Sequence, residues 1–166
     1  IGVKNAIITV RYTNNGGTLT YVYAIRGNAV SLPEMDVQGN ANSIVDGDIT
    51  PSIVDFTDYG TTSVGVSVTK TYFVHNTGVA NLNLGAITFS GANPGDFSVT
   101  TAPAAIVAPG GNTFFVVTFT PPSIGTKTTT ISIVNNDSNE NPYNYNLVGV
   151  CIQTFFDIDG DGIFDN

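Results

Sequence analysis

From residue 143 onward the chain alternates one residue at a time between apolar and polar side chains. Tyr143, Tyr145, Leu147 and Gly149 share one side of an extended backbone, while Asn144 and Asn146 point the other way. The same period of two places Tyr72 and Val74 on one face, and Phe115, Val117 and Phe119 on another. Segments of this kind predict strands at about 33–39, 64–76, 82–89, 96–100, 112–120, 126–134 and 143–151. Asn76-Thr77-Gly78, Gly91-Ala92-Asn93-Pro94-Gly95 and Pro109-Gly110-Gly111 supply the turns between them. No stretch sustains a helical period.

Seven short strands in succession make the fold class all-β and fit an immunoglobulin-like β-sandwich. On this reading the tyrosines of the last hairpin belong to the core. A second regularity concerns the order of the parts. Ile1-Gly2-Val3-Lys4 resembles Ile124-Gly125-Thr126-Lys127, Ile8-Thr9-Val10 resembles Ile131-Ser132-Ile133, and Tyr21-Val22-Tyr23-Ala24-Ile25-Arg26-Gly27 matches 143–149, Tyr143-Asn144-Tyr145-Asn146-Leu147-Val148-Gly149. Residues 1–30 therefore read as the C-terminal hairpin of a preceding repeat, residues 33–152 as a complete repeat, and residues 153–166 as the start of an acidic repeat. A two-stranded ribbon is marginal alone, so something must cover it. The expectation is an excerpt of a longer tandem-repeat chain, with strand addition to a neighbouring molecule as the other reading.

Composition narrows the partners. The chain has 166 residues, 42% of them hydrophobic, with 18 glycines and 8 prolines, enough for a core built from strands and turns. Thirteen acidic against five basic residues give a formal charge of −8, which disfavours nucleic acid and anionic lipid and favours multivalent cations. No apolar run is long enough to cross a bilayer, and no charged-then-apolar leader opens the chain. Cys151 is the single cysteine, expected as a small, half-buried apolar residue rather than an interchain disulfide partner.

Taken in order, Asn76-Thr77-Gly78, Leu82 and Leu84, Ser90-Gly91, Asp96-Phe97-Ser98-Val99, Pro109-Gly110-Gly111, Phe115-x-Val117-x-Phe119-x-Pro121 and 136–143 (Asn136-Asp137-Ser138-x-Glu140-Asn141-Pro142-Tyr143) resemble the Hydin-like repeats of bacterial choice-of-anchor D proteins. The resemblance covers residues 33–152 and, as a half-repeat, 1–30. It implies a sandwich strung in tandem in secreted or surface-anchored proteins, without catalytic activity. Family members more often carry Thr where this chain has Phe73 and Phe114. The alternation turns Phe73, Phe114 and Val116 outward on two strands that are sheet neighbours in an immunoglobulin-like topology, so they are expected to form an apolar patch for an adjacent domain or chain.

The clearest chemical motif is Asp157-Ile158-Asp159-Gly160-Asp161-Gly162-Ile163-Phe164-Asp165. Asp157, Asp159 and Asp161 stand at positions 1, 3 and 5 of a calcium loop, Gly162 at the turn, the Ile163 carbonyl at 7 and Asp165 at 9. It is similar to a thrombospondin type 3 or dockerin-like repeat, without the bidentate Glu at position 12. Ca2+ is the expected ion. A second candidate metal loop is Asp46, Asp48, Asp55 and Asp58, in a connection without strand alternation, although Asp-Gly and Thr-Pro are also ordinary turn chemistry. Asp137 and Glu140 are expected to serve Asx turns that tighten a hairpin.

No catalytic constellation emerges: His75 is the lone histidine and reads as a strand-end surface residue, and neither a phosphate-cradling loop nor a zinc ligand set is present. The expected function is a structural tandem repeat of an extracellular bacterial surface protein or filament, joined to neighbouring repeats or identical chains. The alternative is an adhesion module gripping a glycan or protein.

Overall fold

The computed structural model describes residues 2–153, and the chain divides into two compact units, Ile1–Leu32 and Pro33–Asn166. The first is a long hairpin of β1 (Gly2–Asn14) and β2 (Gly17–Ala29). The second contains β3 (Met35–Gly39), β4 (Asn42–Ile44), β5 (Asp58–Ser63), β6 (Val68–Asn76), β7 (Leu82–Ser90), β8 (Phe97–Thr101), β9 (Ile106–Val107), β10 (Asn112–Phe119), β11 (Gly125–Asn135) and β12 (Tyr143–Ile152), with one 3-10 turn at Pro94–Asp96.

These ten strands form two sheets, ordered β4-β3-β6-β10-β8 and β5-β12-β11-β7-β9. All pairs are antiparallel except β12 with β5, which run parallel. This is the expected immunoglobulin-like sandwich, and the period-two faces meet in its core. Tyr72, Val74, Phe115, Val117 and Phe119 from one sheet face Ile131, Ile133, Tyr143, Tyr145 and Leu147 from the other, and all are buried. The rings of Tyr72 and Phe115 stack at 5.3 Å, Tyr145 lies 5.8 Å from Tyr72 across the sandwich, and Phe97 and Phe119 stack at 4.7 Å.

The buried tyrosines also carry polar ends that need partners. Tyr72 donates to the carbonyl of Phe56 (2.7 Å), Tyr59 to that of Val117 (3.3 Å), and Tyr143 to that of Ile44. Burial raises all four core tyrosines, Tyr59, Tyr72, Tyr143 and Tyr145, well above the ordinary phenol value. They stay neutral across the physiological range.

The structure corrects three details of the strand pattern. The segment expected at 64–76 begins only at Val68, because residues 58–63 form a strand of their own, β5. In β5 the buried residues are Tyr59 and Thr62, three apart, and the register against β12 shifts between Val148 and Val150. A bulge has broken the alternation. The short β4 and β9 were also unforeseen. β4 is reached through a tight turn in which Asn40 and Ala41 both hold positive φ (51° and 59°), the type I′ geometry of two-residue hairpins.

At Gly149 a ring from the opposite sheet lies against bare backbone. A Cβ placed there would collide with Cε1 of Phe119, whose ring is held against Phe97 and Tyr59. Gly149→Ala is expected to destabilise residues 33–152 by about 1–3 kcal/mol through overpacking, read as a lower urea midpoint at unchanged m-value.

Candidate interaction surfaces

The β1–β2 hairpin and the β11–β12 hairpin have the same register. Gly2 pairs with Ala29, Lys4 with Gly27, Ala6 with Ile25, Ile8 with Tyr23 and Val10 with Tyr21. In the sandwich Gly125 pairs with Cys151, Lys127 with Gly149, Thr129 with Leu147, Ile131 with Tyr145 and Ile133 with Tyr143. The sequence similarity is thus also a ladder similarity, pair by pair. The environments are opposite: Ile131 and Tyr145 are 0% and 1% exposed, whereas Ile8 and Tyr23 are 47% and 55% exposed.

The hairpin is amphipathic. One face gathers Ala6, Ile8, Val10, Tyr12, Leu19, Tyr21, Tyr23 and Ile25, and the other carries Asn5, Thr9, Arg11, Thr13, Thr18, Thr20, Arg26 and Asn28 among a few aliphatic residues. Covering the large side chains of the apolar face would stabilise the ribbon by on the order of 5–10 kcal/mol at roughly 25 cal/mol per Å².

A second surface lies on the outer face of β6 and β10. Phe73 and Phe114 are direct cross-strand partners, 42% and 47% exposed, with ring centroids 6.1 Å apart. The His75 ring lies 6.3 Å from Phe73, and Val116, two residues along β10, is half-buried. The three residues expected to form a patch therefore share one face of adjacent strands. Across β3, Phe73 has Gln38 as its neighbour, so the patch is narrow.

A third surface is acidic. Carboxylate oxygens of Glu34, Asp137 and Glu140 lie within 4.8 Å of one another, the one such group among the described residues. The Asx-turn reading of this loop describes part of what it does. The Asp137 N–H donates to the side-chain carbonyl of Asn135 (2.7 Å), but the Asp137 carboxylate is buried and accepts the N–H of Met35 (2.9 Å), tying the loop to the first strand of the sandwich. Burial first, then the carboxylates of Asp137, Glu34, Asp46 and Asp36, raise Glu140 from its ordinary 4.5 to about 7.

The four aspartates of the second candidate metal loop are not in that group. Each serves a backbone or hydroxyl donor: Asp46 accepts the N–H of Asn144 (2.7 Å), Asp48 that of Thr50 (2.8 Å), Asp55 that of Thr57 (3.1 Å) and Asp58 that of Gly60 (2.8 Å). Asp48 and Asp55 also accept the hydroxyls of Thr50 and Thr57, both at 2.6 Å. The calcium-loop residues Asp157, Asp159, Asp161, Ile163 and Asp165 lie outside the described residues.

The family model described as HYDIN/CFA65/VesB-like, Ig-like domain matches residues 52–147, more than half of the chain. The chain belongs to this family. Among solved structures it is similar to a protein of unknown function from Porphyromonas gingivalis W83, at 15% identity and a TM-score of 0.53, covering 90% of this chain and 66% of that one. It therefore spans just under two thirds of that neighbour's length. It is also similar to PapD-like domain 7 of human CEP192, at 13% identity and a TM-score of 0.50, covering 74% of this chain and 88% of that one. At these identities the likeness is one of fold. No match was found among curated proteins.

Within this HYDIN/CFA65/VesB-like domain the motif residues act as clips. The buried Asn76 amide donates to the carbonyls of Ala80 (2.7 Å) and Val107 (2.9 Å), and its oxygen accepts the N–H of Gly78 (3.1 Å) and Glu34 (3.3 Å), so one side chain fixes three segments. Asn135 likewise donates to the carbonyls of Ile133 and Glu140. Lys127, on the inward face of β11, donates to the Ser123 hydroxyl (2.8 Å) and stands 3.8 Å from Asp96. Cys151 is more buried than its expected half-exposure, 2% exposed on the inward side of β12.

Glu140 makes stability depend on pH. Its value is raised on folding, so the neutral acid favours the fold: the contribution is complete below about pH 4.5 and is lost as pH rises through about 7. Glu140→Gln is expected to raise the urea midpoint at about pH 8 and leave it unchanged at about pH 4. An unchanged pH profile would show that the carboxyl is solvated in solution.

Proposed function

We propose that this chain is a non-enzymatic structural link in a tandem-repeat protein of the bacterial cell surface or an extracellular filament. The observation that carries this reading is the five-pair coincidence between β1–β2 and β11–β12. A sequence that repeats the closing hairpin of the sandwich, in the same register and ahead of a complete sandwich, is what a chain of such sandwiches contains at each junction. Membership of an immunoglobulin-like family supports a structural or protein-interaction role. The net charge of −8 fits an aqueous, cation-rich exterior better than a nucleic-acid partner.

The mechanism is mechanical. Ladders of strand hydrogen bonds resist extension within each sandwich, and calcium held by Asp157, Asp159, Asp161, the Ile163 carbonyl and Asp165 stiffens the junction that follows Gln153. Limited proteolysis tests the calcium step. Cleavage near Phe155 and Phe156 is expected to slow when calcium is added and to recover with a chelator, and equal cleavage in both would remove calcium from the mechanism.

The aromatic pair favours a second reading, an adhesion module in which Phe73, Phe114 and Val116 grip a glycan or protein. A spacer should bind nothing specific on a glycan array or in a pull-down from host surface proteins. If a specific ligand is retained and the Phe73→Glu, Phe114→Glu double variant loses it, the adhesion reading replaces the spacer. The same double variant should fold normally, because both rings are nearly half exposed.

A further inference from the structure

Two positions of the hairpin have no explanation inside the hairpin itself. Gly27 stands in mid-strand without a positive φ, and a Cβ there would meet nothing within 4 Å. Glycine weakens a strand interior and is kept where another group comes close. Its ladder counterpart, Gly149, is the residue on which the Phe119 ring sits. Lys4 puts a charge on the apolar face, and its counterpart Lys127 is buried beside Asp96.

The edges point the same way. In the sandwich β7 pairs antiparallel with β11 and β5 pairs parallel with β12, whereas among the described residues β1 and β2 pair only with each other. Both outer edges of the hairpin therefore offer unpaired backbone donors and acceptors beside its apolar face.

We propose that the apolar face of β1–β2 is a docking site for an immunoglobulin-like sandwich of the same family that lacks its own closing hairpin. This rests on the tandem-repeat reading and adds the chemistry of the partner. A phenylalanine ring equivalent to Phe119 seats on Gly27, and a carboxylate equivalent to Asp96 meets Lys4. A β7-like strand pairs antiparallel with β1, and a β5-like strand pairs parallel with β2. In the complete repeat the closing hairpin follows the other strands, so the occupant is the segment preceding the hairpin in its parent polypeptide.

The test lengthens the full chain. A second copy of residues 33–123 is placed ahead of Ile1, so that Ile1 follows Ser123 as Ile124 does in the sandwich. Amide hydrogen exchange in β1–β2 is compared in the chain as it stands and in the longer one. The longer chain is expected to slow exchange by at least about 100-fold. Gly27→Leu in the longer chain should abolish that protection, while Ala24→Leu, on the opposite face, should preserve it.

Exchange equally fast in both chains would overturn the docking site together with the tandem reading. Protection that survives Gly27→Leu would leave the tandem reading standing and overturn the seat assigned to Gly27. Concentration-dependent protection of β1–β2 in the unextended chain, with a dimer by sedimentation, would identify a second copy as the occupant and overturn the proposal.

Discussion

A sheet that is apolar on one face is stable only when a second layer covers that face, and this requirement organises both units of the chain. In residues 33–152 it is met by aromatic side chains aimed across the gap: Tyr72, Phe115 and Phe119 receive Tyr145, Leu147 and the bare backbone at Gly149. Complementarity here is steric as much as hydrophobic, since a ring arrives where Gly149 has no side chain. The hairpin of residues 1–32 presents the same sequence of knobs and gaps.

Polar chemistry in the sandwich serves the same end. The connection between β4 and β5 has little regular structure, yet carboxylates and hydroxyls of its own sequence, the β12 backbone and core tyrosines reaching to Ile44 and Phe56 satisfy much of its backbone. Asn76 and Asn135 perform this service for the loops near Glu34 and Asp137. Such buried, satisfied amides fix loop geometry without a disulfide, which a chain with one cysteine requires. The carboxylates near Glu140 carry the opposite cost, mutual repulsion, which neutral Glu140 relieves.

Much of this could be read from the sequence, for a physical reason: where both faces of a strand have definite fates, side chains alternate and the pattern is visible. The inward tyrosines of β12 and the outward Phe73 and Phe114 follow from alternation, and the immunoglobulin-like topology that seven strands suggest makes β6 and β10 neighbours. β5 was hidden because its bulge spaces Tyr59 and Thr62 by three, and β9 because two residues make no pattern. The meeting of Glu34 with Asp137 and Glu140 was invisible for another reason, as it depends on how the first strand of the sandwich reaches the last loop. Asp46, Asp48, Asp55 and Asp58 fit two readings from sequence alone, because carboxylates in loops satisfy metals and backbone N–H groups with the same oxygens.

The two exposed apolar surfaces differ enough in scale to have different uses. Phe73 and Phe114 are two rings with Val116 beside them, bounded by Gln38 and His75, and an aromatic pair contributes about 0.5–1.5 kcal/mol beyond its buried area. That suits a contact made and released, or one repeated many times along an array. The hairpin face has seven large side chains, all about half exposed, together with two edges that pair with no other strand among the described residues. Leaving such a surface in water invites aggregation, since open strand edges and apolar patches are the usual templates for it. The hairpin face thus has the scale of a surface that is stable only when covered, and Phe73 and Phe114 the scale of one that tolerates water.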